Sequence, residues 1–122
     1  MTNRLYFNLW ARLMAGTEEP ENSWSCWTGS NLKERDRYGY HRVGLFIPGR
    51  GSRKFYAHRI VHFACAGCNI DDIFELCAVN QLFNLAQLEV NHLCRNTSCR
   101  NPDHLVTVTK SQNAQHWRNW RP

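Results

Sequence analysis

Apolar residues recur along the chain at spacings that predict several short helices. Leucines four residues apart predict an amphipathic helix over residues 3–15, ending near Gly16, and an acidic loop containing a proline follows over residues 17–23. Helical spacing returns in residues 57–66 and again in residues 71–88, where one or two helices are predicted. We expect these segments to form and cover one hydrophobic core.

Before residue 57, the pattern is that of a β-hairpin. Residues 38–47 are rich in strand-forming side chains, residues 48–52 are a cluster of turn residues, and residues 53–56 return to strand character. A twisted two-stranded ribbon fits the major groove of DNA, where arginine binds phosphates or guanine. Five basic residues on or around this hairpin are the predicted DNA-binding set: Arg37, Arg42, Arg50, Arg53 and Lys54.

The last part of the chain predicts a strand, a loop, a second strand and a helix. Residues 88–93 and 105–109 have the alternation of short strands, and Ser111 is the residue predicted to cap the helix. His92 then lies on the first strand, and Asn113 lies in the first turns of the helix. We expect these two polar side chains to face each other.

The loop between these strands carries a Cys-x4-Cys-x4-His pattern. Cys94, Cys99 and His104 lie among Asn, Thr, Ser and Pro residues, which argues against a regular helix or strand. Thiolates and imidazole are preferred ligands of tetrahedral zinc, and a site with four protein ligands is structural because it has no open position. A fourth ligand must come from elsewhere. Cys26, between two tryptophans, is the obvious candidate, although it could also be a buried apolar residue.

The other cysteines leave several interpretations open. Cys65 and Cys68 form a Cys-x2-Cys pair, with Cys77 further along. This pair could be a second zinc site or a redox pair, but buried thiols at a helix end are the favoured interpretation.

Six cysteines could also form three disulfides in a secreted protein. Because the N-terminus lacks the pattern of a signal peptide and no apolar run of about 18 residues occurs, we expect a cytoplasmic protein without a membrane span.

Charge is unevenly distributed over the 122 residues, whose net charge is +5. Residues 33–59 contain eight Lys or Arg against two acids, and residues 91–122 contain five against one. Residues 60–90 contain four acids and no Lys or Arg. Two basic segments flanking an acidic one suggest a surface that binds a polyanion, most simply nucleic acid, with an ordinary solvated surface as the alternative.

A histidine that the zinc does not need, opposite a short polar side chain in a basic protein, suggests phosphodiester cleavage. Neutral imidazole, with a pKa of about 6.5, accepts a proton from water if a backbone carbonyl holds its other nitrogen. Mg²⁺ prefers oxygen ligands, which Asn113 and phosphate oxygens can supply. His92 is the base in this scheme. On spacing alone, a zinc-stabilised DNA-binding module without catalysis is the alternative.

Residues 91–105, followed by Ser-Gln-Asn at residues 111–113, resemble the HNH and His-Cys box homing endonucleases of the ββα-metal (His-Me finger) superfamily. Residues 26–29, 38–40 and 57–59 resemble the upstream marks of small phage- and intron-type members. The resemblance implies an α+β fold. Its ββα-metal core and zinc-bound loop are expected to follow a β-hairpin and short helices.

By position, the resemblance also implies roles for individual residues. His92 matches the general base, Asn113 matches the catalytic Mg²⁺ ligand, and Arg53 most nearly matches the arginine that contacts the scissile phosphate. Three other basic residues could fill that last role: Lys54, Arg42 and Arg59. The structural zinc ligands fall on one set of residues: Cys26, Cys94, Cys99 and His104.

Asn91 and His116 stand near the implied base and metal ligand in the sequence. Many HNH members place Asp or His before the base, whereas Asn91 stands there in this chain, as in the His-Cys box pattern with a single Asn ligand. His116, one turn beyond Asn113, could be an added ligand, but a solvated helix histidine is the simpler interpretation.

The sequence as a whole predicts one HNH endonuclease domain over residues 1–122. Its successive parts are an N-terminal helix and loop, a zinc-ligand segment with the hairpin, a helical core and the ββα-metal motif: residues 1–23, 24–59, 60–87 and 88–118. The expected activity is Mg²⁺-dependent hydrolysis of double-stranded DNA. A homodimer is compatible with this prediction, although not one formed by the C-terminal tail of the His-Cys box enzymes.

Overall fold

The computed structural model of the chain describes residues 9–14, 25–28 and 36–119. These residues form helices and two separate two-stranded antiparallel sheets, which confirms the predicted α+β class. Residues 9–14 are helical (α1), while the remainder of the predicted N-terminal helix and the predicted loop at residues 17–23 lie outside the described residues. Across the described ranges, no helix is long and apolar enough to cross a membrane.

The predicted hairpin is formed by β1 (Arg42–Ile47) and β2 (Gly51–Tyr56), which pair antiparallel over their whole length. Its turn places Gly49 at φ 82° and Gly51 at φ 81°. Only glycine adopts these backbone angles without a steric penalty, so the glycines at these positions allow the tight reversal.

The segment before β1 is a turn, whereas the sequence predicted a strand from residue 38. The Oδ1 atom of Asp36 accepts the backbone N–H of Tyr38 at 2.9 Å and of Tyr40 at 3.1 Å. Such local hydrogen bonds compete with an extended ladder, which explains why the strand begins at Arg42.

Two helices follow the hairpin, α2 (Ala57–Cys65) and α3 (Ile73–Leu85), and both were predicted. The second is a single helix, and the side chain of Asp72 caps it by accepting backbone N–H groups of its first turn. α2 packs against β2, against α3 and against the C-terminal sheet, so it lies at the centre of the described fold. The most deeply buried apolar side chains come from α1, α2, α3 and the α2–α3 connection: Leu13, Ile60, Val61, Ile70 and Leu76.

The C-terminal unit consists of β3 (Leu88–His92), β4 (Leu105–Thr109) and α4 (Lys110–Asn119). The two strands pair antiparallel, with His92 opposite Leu105. α4 packs against both strands. This is the predicted strand, loop, strand and helix arrangement.

The cap of α4 is Thr109, and the prediction of Ser111 was wrong. The backbone N–H of Gln112 donates to Thr109 Oγ1 at 3.0 Å, and the Gln112 side chain accepts the backbone N–H of Thr109 at 2.9 Å. This reciprocal pair is a capping box, which requires Gln three residues after the cap. Thr109-x-x-Gln112 satisfies that spacing and Ser111 does not.

Candidate functional site

Four side chains predicted to bind zinc come together in the structure. The ligand atoms of Cys26, Cys94, Cys99 and His104 all lie within 4.8 Å of one another. His104 Nδ1 is 3.4 Å from Cys99 Sγ and 3.8 Å from Cys26 Sγ. A zinc tetrahedron with bonds of about 2.3 Å to sulfur and about 2.1 Å to nitrogen has sulfur–nitrogen edges of about 3.6 Å. The four residues therefore fit a closed Cys₃His zinc site.

Local hydrogen bonds bring Cys26 to the loop despite a separation of more than sixty residues along the chain. The backbone N–H of Arg100 donates to Trp27 O at 2.8 Å, and the side-chain amide of Asn101 donates to Ser25 O at 2.7 Å. Asn101 is buried, and its Oδ1 also accepts the N–H of Asp103, which starts a 3₁₀ turn ending at His104. Sequence reasoning did not identify Asn101, although an Asn-Pro pair is a known turn signal.

The zinc loop also holds the turn that precedes the hairpin. Thr97 Oγ1 donates to Tyr38 O at 2.8 Å, and Ser98 Oγ donates to Gly39 O at 3.2 Å. Gly39 has φ 89°, and a Cβ atom there would lie 2.7 Å from Thr97 Oγ1. The loop and the Tyr38–Tyr40 segment can approach this closely only because residue 39 is glycine.

Burial disfavours the charged form of two of these thiols, Cys94 and Cys99. Burial raises the pKa of the Cys99 thiol to about 12, although hydrogen bonds from the backbone of Asn101 and Trp27 oppose the shift. Burial likewise raises the pKa of the Cys94 thiol. Thiolates are the species that bind zinc, so a divalent ion supplies the charge that stabilises them at this position.

The prediction of buried thiols at a helix end was wrong for Cys65, which is exposed, and Cys68 and Cys77 are half-buried. All six cysteines lie in the described residues and all are free, so the structure contains no disulfide framework. Among the described residues, Cys65, Cys68 and Cys77 do not assemble into a group of three metal-ligating side chains. Burial raises the pKa of Cys68 to about 11, which keeps that thiol in its unreactive form.

His92 lies at the end of β3, directly beside the zinc loop. Its side chain is 1% exposed, and its Nε2 atom lies 3.0 Å from the carbonyl oxygen of Cys99. A carbonyl can only accept, so Nε2 carries the proton and Nδ1 has the free lone pair. Nδ1 is buried and has no hydrogen-bond partner in the described part of the chain. Burial lowers the pKa of His92 to about 4, against the opposing effect of the Cys99 hydrogen bond.

A cluster of aromatic rings surrounds His92. The ring of His58, at the start of α2, lies 4.6 Å from the ring of His92, and Tyr40 lies 5.1 Å from His58 and 5.6 Å from His92. Burial lowers the pKa of His58 well below its ordinary value, with the nearby His92 adding to the shift. Sequence reasoning did not give His58 a role, although it stands in the Ala57-His58-Arg59 segment used for the family resemblance.

A cavity of about 230 Å³ opens beside this cluster. Tyr40 and His58 line it on one side, and Asn113 lines it from α4. The Oδ1 atom of Asn113 is buried without a hydrogen-bond partner within the described residues. β3 carries His92, α4 carries Asn113, and these two elements pack against each other. Asn113 therefore lines the cavity directly, whereas His92 is not one of its lining residues and contacts His58 and Tyr40, which are.

Two carboxylates and an arginine also line the cavity. Burial raises the pKa of Asp36, but hydrogen bonds from two backbone N–H groups and the Tyr56 hydroxyl outweigh it, and the net effect lowers that pKa. Glu89 lies on β3. Arg59 donates to Asn80 at 3.1 Å and to Asn84 at 2.8 Å. The cavity thus presents negative charge together with one partly engaged cation.

None of the five predicted DNA-binding residues lines this cavity. Arg50, Arg53 and Lys54 are exposed on the turn and on β2, and Arg37 is exposed before β1, whereas Arg42 is half-buried. Arg53 donates to its neighbour Ser52 O at 3.0 Å and does not line the cavity, where Arg59 lies instead. The exposed set forms a basic surface rather than part of the cavity wall.

Three other polar residues discussed from the sequence also lie in the described region. Asn91 is buried on β3, and its Oδ1 has no hydrogen-bond partner among the described residues. His116 is half-buried on α4. His62 packs on β4, where its Nε2 lies 2.7 Å from Thr107 Oγ1.

The fold and the Cys₃His cluster define a small zinc-binding α+β protein with a ββα unit. A family model described as the zinc-binding loop region of homing endonuclease matches residues 25–118. The chain belongs to this family, which confirms the predicted membership. Comparisons with curated proteins and with solved structures find no match.

Proposed function

We propose that the protein is a Mg²⁺-dependent DNA endonuclease, with His92 as general base, Asn113 as the protein ligand of the metal and the zinc site as a structural clamp. One observation carries the proposal. The Cys99 carbonyl holds the Nε2 atom of His92, so the lone pair of Nδ1 has no partner in the described region. The His92 ring lies 4.6 Å from the ring of His58, which lines the same cavity as Asn113.

The hydrogen bond from Nε2 prepares His92 for proton transfer. It fixes the tautomer in which Nδ1 accepts a proton from water, and it stabilises the imidazolium that results. The low pKa of His92, about 4, keeps the side chain neutral at physiological pH. A bound phosphodiester carries negative charge, which favours the imidazolium and raises that pKa toward the value useful for a base.

Asn113 supplies an oxygen suited to a hard cation. Its Oδ1 is buried without a partner in the described region, and an unpaired buried carbonyl is costly unless something occupies it. Asp36 and Glu89 line the same cavity and would repel a phosphate unless a cation lay nearby. When bound, Mg²⁺ stabilises charge on the phosphate oxygens and on the leaving 3′ oxygen.

Double-stranded DNA is the proposed partner, held by the hairpin. Arg50, Arg53 and Lys54 present exposed charge on one ribbon, and a two-stranded ribbon fits the major groove. Arg53 is the first choice for contact with the scissile phosphate. Arg59 is the alternative supported by position, since it lines the cavity.

The alternative is a zinc-stabilised DNA-binding protein without catalysis, and the near-complete burial of His92 favours it. Incubating the zinc-loaded protein with supercoiled plasmid, with and without Mg²⁺, separates the two functions. Nicked or linear plasmid that appears only with Mg²⁺ supports the endonuclease. A shifted but intact plasmid in both conditions supports the binding protein.

A further inference from the structure

Arg100 is the largest fully buried side chain in the described part of the chain, at 1% exposure. Its Nε, Nη1 and Nη2 atoms are all buried and have no hydrogen-bond partner there. A guanidinium has five N–H donors and stays protonated in proteins. Burying such a cation without a compensating charge is strongly unfavourable, so the fold must supply an anion close to it.

Among residues 9–14, 25–28 and 36–119, carboxylates do not supply that charge. Within the described residues, no Asp or Glu forms an ion pair or hydrogen bond with the Arg100 guanidinium. Arg100 directly follows Cys99 in the sequence, and the sulfur cluster is the group there that becomes anionic when zinc binds.

The charge of the zinc cluster supports the same conclusion. Zinc contributes +2, three thiolates contribute −3 and a neutral imidazole contributes nothing, so the loaded site carries a net charge of −1. Arg100 contributes +1 and brings the total to zero. The backbone N–H of Arg100 donates to Trp27 O, and Trp27 directly follows Cys26. Arg100 thereby links the zinc loop to the segment that carries Cys26.

We propose that Arg100 is the buried countercharge of the Cys₃His zinc cluster, a metal-site residue that binds no metal itself. The guanidinium offsets the excess negative charge of the thiolates when zinc is bound. In the zinc-free protein with neutral thiols, the same cation is buried without compensation and opposes folding. Arg100 thereby makes the fold more dependent on zinc. This inference does not depend on nuclease activity.

Three variants separate charge from shape at this position. Arg100→Met removes the charge and keeps a long apolar side chain, whereas Arg100→Lys keeps the charge. Arg95→Met is the matched control, because Arg95 also directly follows a zinc-ligand cysteine but is only half-buried. Zinc affinity is measured by competition with a chromophoric chelator, and thermal unfolding is followed with zinc and after its removal.

We expect Arg100→Met to bind zinc roughly tenfold to a hundredfold more weakly than the wild type and Arg95→Met. Arg100→Lys should recover most of the affinity. The zinc-free Arg100→Met protein should unfold at a higher temperature than the zinc-free wild type. If neither zinc-free protein shows an unfolding transition, the comparison of zinc affinities alone tests the proposal. Failure of Arg100→Met to fold with excess zinc, while Arg100→Lys folds, also supports the proposal.

The opposite results overturn it. Wild-type or tighter zinc affinity in Arg100→Met would show that the cluster does not need the cation. Equal weakening in Arg100→Met and Arg100→Lys, or failure of both to fold, would show that the shape of the arginine matters and its charge does not.

Discussion

Cys99 connects the zinc site to His92: its side chain is a zinc ligand, and its carbonyl oxygen lies 3.0 Å from His92 Nε2. A zinc ion held by this cluster would fix the backbone group that orients the imidazole. Because the Cys₃His site is closed, such an ion would act on the histidine through its ligands and this carbonyl, with no open position for substrate. Loss of zinc should then disturb both the fold and the cavity.

Cys94→Ser tests the zinc site directly. A hydroxyl is a poor zinc ligand, and the only regular element in the described loop between β3 and β4 is a 3₁₀ turn at residues 102–104, so we expect loss of bound zinc and cooperative unfolding of the domain. Cys65→Ser is the control, since Cys65 is exposed and lies outside the cluster. The zinc content and the circular dichroism spectrum of both proteins show whether zinc and the fold are lost together. A Cys94→Ser protein that is folded without zinc would remove the structural role.

The cap of α4 gives a prediction that distinguishes neighbouring residues. Thr109→Ala removes the Oγ1 acceptor for the Gln112 N–H and should lower the free energy of unfolding by about 1 kcal/mol. Ser111→Ala should have little effect, because Ser111 is exposed within the helix. Chemical denaturation of the two variants measures the difference. Equal losses would contradict the capping box.

Much of this architecture could be predicted because it is encoded locally. Period-two and period-3.6 patterns gave the hairpin, the helices and the ββα unit, and the Cys-x4-Cys-x4-His spacing gave three zinc ligands within one loop. From spacing alone Cys26 was a candidate, and the family resemblance assigned it as the fourth ligand. Its recruitment depends on hydrogen bonds from Arg100 and Asn101 to a distant segment.

The contacts that sequence reasoning missed are set by tertiary packing. His58 reaches His92 because α2 lies between the hairpin and the C-terminal sheet, a relationship that no local pattern encodes. The burial of Arg100 could not be predicted from the sequence either, because an arginine in a polar loop is expected to be exposed. The turn at Asp36 was missed because strand-forming tyrosines follow it.

Asp71 should destabilise the protein at neutral pH. Both carboxylate oxygens are buried without partners in the described ranges, and burial raises the pKa of Asp71 to about 6 from its usual 3.8. The folded state then binds more protons than the unfolded state between these values, so this residue's contribution to stability falls as pH rises through that window. Asp71→Asn should raise the unfolding temperature at pH 7 and lose this advantage below about pH 4.

Asp72→Asn is the control for that measurement. It removes the same charge one residue away but keeps a side-chain oxygen to cap α3. We expect little or slightly unfavourable change in its unfolding temperature at pH 7. An Asp71→Asn protein that gains no more than Asp72→Asn at pH 7 would contradict the account of Asp71.

The side-chain oxygen of Asn113, as a metal ligand, should be needed for cleavage, and its amide nitrogen should not. Asn113→Ala removes the oxygen and should abolish most Mg²⁺-dependent plasmid cleavage, whereas Asn113→Asp keeps an oxygen and should retain measurable cleavage. Titrating Mg²⁺ against the cleavage rate of each variant tests this. Cleavage by Asn113→Ala with the wild-type Mg²⁺ dependence would place the metal elsewhere.

The most direct test of the central claim is the plasmid cleavage rate of His92→Gln and His92→Ala with Mg²⁺, compared with the wild type and with His62→Ala. Gln retains an N–H that can donate to the Cys99 carbonyl but cannot accept a proton from water. Zinc content, unfolding temperature and DNA binding without Mg²⁺ serve as folding controls. The account predicts that folded, DNA-binding His92→Gln cleaves about 10² to 10⁴ times more slowly than wild type, while His62→Ala cleaves normally. Cleavage by His92→Gln at the wild-type rate, or loss of activity only in unfolded protein, would contradict the assignment of His92 as the base.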